Sequence, residues 1–254
     1  MRVLALLFLC AAALRAQDPF EMIVFEYDPL PFGEFTYETH LNYVLDGTKE
    51  FDGAVAPTQD QLHYSTELTM GVTESFRAGA VIRTAHRPGG PLEYAGFRLL
   101  PHFYAPRSWH LPLNLGFVAE YSSERPGFED NTHHLELRGI VEKHIRRLQL
   151  DGNLTFGHGL TRSGTREGWD TEPSGRVGWQ LTRRLTPSVE YYASLGPVNH
   201  FSRAHDQVYL IVPGADWKIS EHLKWSFGAG FGLTDATAHL VLKSRLEFEF
   251  GKER

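Results

Sequence analysis

Two histidines and two glutamates stand at spacings that could do chemistry. Glu38 lies two residues before His40, and Glu67 lies four after His63. Imidazole and carboxylate together can bind a divalent cation or hold a titratable proton. His63 also opens a His-x-Ser pair with Ser65, and His200 and Ser202 form a second pair. A histidine base beside a serine hydroxyl is the start of acyl-transfer chemistry, but the substrate must reach both. In "QLHYSTELTMGV" the residues Leu62, Tyr64, Leu68, Met70 and Val72 alternate with Gln61, His63, Ser65 and Glu67. His63 and Ser65 therefore share the polar face, whereas a lipid substrate would need the apolar one. No GxSxG is present. Nor is there an HxH, an HExxH or a His/Met-rich stretch, although the chain has 13 histidines. The expectation is no catalytic residue, no metal and no cofactor, with a lipase kept only as the alternative.

More charged residues share that polar parity. They are Glu38, His40, His63, Glu67, Arg83, Lys224, Lys243, Arg245 and Glu247. Antiparallel pairing would bring Glu67 near Arg83, Lys224 near Glu247, and Glu38 near Lys243 or Arg245. Opposite charges across strands neutralise a narrow polar interior, and the same ladder could line a weakly selective pore. Gly228, Gly230 and Gly232 leave one strand bare on that side. The bare face is pore space, room for a plug, or an aid to strand curvature.

The elements that must position these groups are strands. Alternate side chains of a strand point to opposite faces, and about twelve segments alternate in this way. In "HLVLKSRLEFEF", Leu240, Leu242, Leu246, Phe248 and Phe250 oppose Lys243, Arg245, Glu247 and Glu249. Two segments fit less well. "AGFRLLPHF" puts Leu100 on the polar side, and "QVYLIVPGADW" is apolar on both faces. Connections are expected to run alternately long and short. A greasy outer face over a charged inner face describes a barrel in lipid. Only closure satisfies the backbone of a sheet there, so the last strand must pair with the first.

"MR", then "VLALLFLCAAAL", then "RAQ" has the pattern of a secretory signal, cleaved after Ala16. Cys10 is the only cysteine, which excludes a disulfide scaffold and a cysteine-ligated metal in the mature chain. A net charge of −6 with mixed signs does not suit a nucleic-acid binder. The expected organisation is a signal peptide at 1–16, a leader or plug at 17–32, and a barrel at 33–254. The fold class is all-β: a transmembrane antiparallel up-and-down barrel of about 12 strands, an even number as such barrels require.

The terminal "LEFEF", with Leu246, Phe248 and Phe250, resembles the assembly signal of bacterial outer-membrane barrels. "FEYDPLPFGEFTYETHLNYV" and "WKISEHLKWSFGAGFGLTDATAHLVLK" are similar to the phenol-degradation MetA-like and fatty-acid-transporter-like barrels. The resemblance implies an outer-membrane location, outer-membrane lipids and the barrel-assembly machinery as partners, and passive transport of small or hydrophobic solutes. A filled structural or adhesive barrel with functional outer loops is the other reading.

Overall fold

A computed structural model describes residues 19–51, 54–161 and 168–251. The expected signal peptide, and the parts of two long loops around Gly53 and Gly164, lie outside the described residues. Twelve antiparallel strands close into a barrel. In chain order they are β1 (Glu34–Asp46), β2 (Leu62–Thr73), β3 (Phe76–His86), β4 (Leu92–Tyr104), β5 (Asn114–Glu124) and β6 (His133–Ile145). Then follow β7 (Leu148–Gly159), β8 (Asp170–Trp179), β9 (Leu185–Ser194), β10 (Val208–Lys218), β11 (Leu223–Gly232) and β12 (Leu240–Gly251). Each strand pairs with its sequence neighbours. β12 closes the ring on β1, from Glu34 opposite Gly251 to Asp46 opposite Leu240.

The alternation decides which side chain faces where. On β1, Thr36, Glu38, His40, Asn42 and Val44 are buried inside, while Tyr37, Leu41 and Leu45 are exposed outside. The outer surface continues through Leu68, Ile82, Leu99, Phe117, Leu154, Val177, Tyr191 and Phe231. So large an apolar surface is stable only against lipid tails. Leu246, Phe248 and Phe250 of the terminal strand lie on it, with the Phe250 ring stacked on those of Phe35 and Phe248.

Two expectations are corrected. Loop lengths do not alternate throughout. The connection at 87–91 is short, whereas that at 105–113 on the opposite end is long enough for a 3-10 turn, Arg107–Trp109. β8 also begins well before "GRVGWQL". It pairs with β7 from Asp170 but with β9 only from Ser174. Pro173, which has no N–H to donate, therefore falls beyond the β9 ladder, where a proline in a strand is tolerated.

Candidate functional site

The lumen is where the polar residues converge, and it is occupied. Residues 19–32 run through it from the end that carries the 125–132 and 195–207 loops down to the start of β1. Residues 21–31 belong to no strand. Their backbone groups must still find partners inside the barrel, and wall side chains supply them. Asn153 makes a reciprocal pair with Phe25, accepting from its N–H at 2.7 Å and donating to its carbonyl at 2.9 Å. Asn42 donates to Pro19 O at 2.9 Å, and Glu142 accepts from Tyr27 N at 3.1 Å. Ser65 donates to Phe20 O at 3.3 Å. Charge adds Arg98 on Glu21 at 3.2 Å, Arg77 on Asp28 at 2.5 Å and Arg176 on Glu26 at 3.4 Å.

The segment also brings its own apolar core. Met22 and Val24 pack with Val44, Tyr192, Leu210, Val212 and Val241. Phe25 and Tyr27 pack with Val81, Leu100, Tyr104, Val118 and Ile140. The two imperfect sequence segments are thereby explained: Leu100 and the inward residues Leu210 and Val212 are apolar because they face this segment. The bare glycine face is filled too. A Cβ on Gly230 would stand 3.4 Å from Met22 Cε. Where the chain leaves the lumen, a Cβ on Gly71 would collide with the carbonyl oxygens of Leu30 and Pro31. At the upper end Phe20 lies edge-on to His63 and Phe128, and the Arg83 guanidinium sits over its ring at 4.3 Å.

The charged residues singled out in the sequence all face inward. Lys224 meets Glu247 at 2.9 Å. Arg245 bridges Glu38 at 3.3 Å and Glu247 at 3.4 Å. Its role there follows from register, because Glu38 lies directly opposite both Glu247 and Glu67, and like charges facing each other are destabilising without a cation between them. Lys243 instead reaches Glu190 at 2.5 Å, a carboxylate that also accepts from Tyr192 at 2.6 Å. The expected Glu67–Arg83 pair does not form. Arg83 lies opposite Ser65, two residues out of register, and its guanidinium meets Glu124. Glu67 accepts from Thr69 at 2.6 Å. His63 and Ser65 are buried in the lumen away from the lipid side, where a lipid ester cannot reach them.

Below the segment, at the end with the 146–147 and 219–222 turns, a cavity of about 360 Å³ remains. Glu26 and Asp28 form its roof, and Arg77, Glu142, Arg176, Lys224 and Arg245 are among its walls. The site is thus a polar vestibule capped by a threaded segment.

A closed twelve-stranded antiparallel barrel with an apolar exterior and a charged interior has the architecture of the outer-membrane porins and channels. Solved structures agree at the level of fold. An outer-membrane channel from Pseudomonas putida F1 gives a TM-score of 0.55 at 12% identity, over 91% of this chain and 100% of that one. The KdgM porin gives 0.53 at 9%, over 86% and 99%, and the NanC porin 0.53 at 7%, over 86% and 100%. No protein-family model matches the chain, and no curated protein does.

Proposed function

We propose that the chain is a gated passive channel of a bacterial outer membrane, with residues 19–32 as its plug and the 360 Å³ vestibule on the periplasmic side. The observation that carries this reading is how the plug is held. It makes no strand ladder with the wall. It hangs on side-chain hydrogen bonds, ion pairs and a few apolar contacts, all of which can be exchanged without opening the barrel. The porin-like fold and the resemblance to solute-transporting barrels support the same role. Of the two cargo classes that the resemblance suggests, the charged vestibule walls favour small polar solutes over hydrophobic ones. Outer-membrane lipids and the barrel-assembly machinery are the partners this reading requires.

A permanently filled structural barrel is the second reading. What favours it is the cover at the upper end, where Phe128 packs on Phe20 and Arg87 lies 4.4 Å over the Phe128 ring. Liposome swelling in small sugars separates the two. Proteoliposomes carrying the chain without residues 19–31 should swell quickly, and those with the full chain slowly. A deletion barrel that folds yet stays tight would favour the filled reading.

A further inference from the structure

Glu21 of the plug meets two residues of the wall, His40 on β1 and Glu67 on β2. One donor atom from each lies within 4.8 Å of the others. All three residues are nearly dry, with 5%, 2% and 4% of their surface exposed. Two of these residues each carry a buried side-chain atom with no hydrogen-bond partner. Glu21 gives one oxygen to Arg98 but leaves Oε1 unpaired, and His40 Nε2 makes no well-aligned hydrogen bond, its nearest carboxylate oxygen being that of Glu38 at 3.3 Å. A buried polar atom without a partner is costly, and a carboxylate oxygen more so. The interior is also short of positive charge. Among the described residues eight carboxylates are buried, against five lysines and arginines, with Lys224 and Arg245 facing the lumen but partly exposed.

We propose that Glu21, His40 and Glu67 bind one divalent cation of the zinc class, and that the ion pins the plug to the barrel wall. One imidazole with two carboxylates suits zinc better than calcium or magnesium, which prefer all-oxygen sites. Two donors on a tetrahedral zinc stand about 3.4 Å apart, so side-chain rotations must draw the three donors together from a spacing of up to 4.8 Å. The three residues have a mechanical meaning because they come from different elements. An ion bridging Glu21 to β1 and β2 makes release of the plug depend on metal occupancy. The sequence pattern pointed only to wall residues. Glu21 supplies the missing ligand, and nothing in its own neighbourhood marks it as one. The gating consequence rests on the channel reading above, whereas the site itself does not.

The test uses the full chain folded in detergent, with Zn²⁺ alone titrated against a chromogenic chelator. One Zn²⁺ per barrel is expected. Affinity should fall at least tenfold in Glu21→Gln and in Glu67→Gln, with Mg²⁺ unable to compete in the wild type. Heat-modifiable gel mobility would show that both variants still fold. The mature chain has no other thiol if Cys10 leaves with the signal peptide, so Val24→Cys reports the plug directly. It should resist a thiol reagent with zinc present and react once EDTA is added. Stoichiometric, Glu21-dependent binding and zinc-dependent protection would stand even if the barrel conducted no ions, and would then count against the channel reading alone. Binding that survives both glutamine substitutions, binding elsewhere on the surface only, or no binding at all would overturn the site. Labelling of Val24→Cys that ignores zinc would overturn the pinning role.

Discussion

At the scale of single residues, the charges around the plug are buried and largely paired, while a polar vestibule stays open below them. Lys243 shows it best. Its ammonium lies 2.5 Å from Glu190, with both side chains about nine-tenths buried. Removing one member of a buried pair leaves an uncompensated charge and costs about 3–5 kcal/mol. Lys243→Ala should therefore lose that much in a urea titration followed by tryptophan fluorescence in lipid vesicles. Lys49→Ala should cost less than about 0.5 kcal/mol, because its 4.0 Å contact with Asp46 lies in water. Equal costs would mean that the lumen is hydrated. Strand parity alone was enough to put Glu38, His40, His63, Glu67, Lys224, Lys243, Arg245 and Glu247 on the inner face. It could not choose partners across the lumen. The Lys243–Glu190 pair joins β12 to β9, which are not neighbours in the sheet. A two-residue error in register was likewise enough to misplace Arg83.

At the scale of elements, the sequence records the plug as faults in an otherwise regular pattern. Leu100, Leu210 and Val212 break the polar inner face where Phe25, Tyr27, Met22 and Val24 pack. Nothing local tells such a fault from poor alternation, because the partner segment is far away in sequence and belongs to no strand. Apolar burial alone does not hold that segment in place. Six of its apolar side chains are buried, each contributing about 1.5–3 kcal/mol, while ordering each residue costs about 1.5 kcal/mol. The hydrogen bonds and ion pairs tip the balance, which suits a displaceable element. Gly71→Val should clash with the plug backbone at Leu30 and Pro31. Protease digestion of the N-terminal segment in the folded protein should then become faster, with the barrel itself left resistant. On the other face, Leu154→Arg places a charge near the middle of β7 toward lipid and should cost about 2–4 kcal/mol in folding titrations. A negligible cost would place that face in water.

At the scale of the whole molecule, closure of β12 on β1 is what makes the fold possible in a membrane. Phe250 stacks between Phe35 and Phe248 on the lipid side of that seam. Phe250→Ala should lower the fraction of heat-modifiable, assembled barrel without changing the lumen. The twelve strands and their closure were legible from alternation and the terminal aromatics, whereas the filled interior was not, since pattern says which way a side chain faces but not what it meets. The central claim is that a displaceable plug closes this barrel. Single-channel recording in planar bilayers tests it most directly, comparing the full chain with the chain lacking residues 19–31. The account predicts a mostly silent full-length barrel with rare openings and a steady conductance after the deletion. A full-length barrel that conducts steadily, or a folded deletion barrel that stays silent, would contradict it.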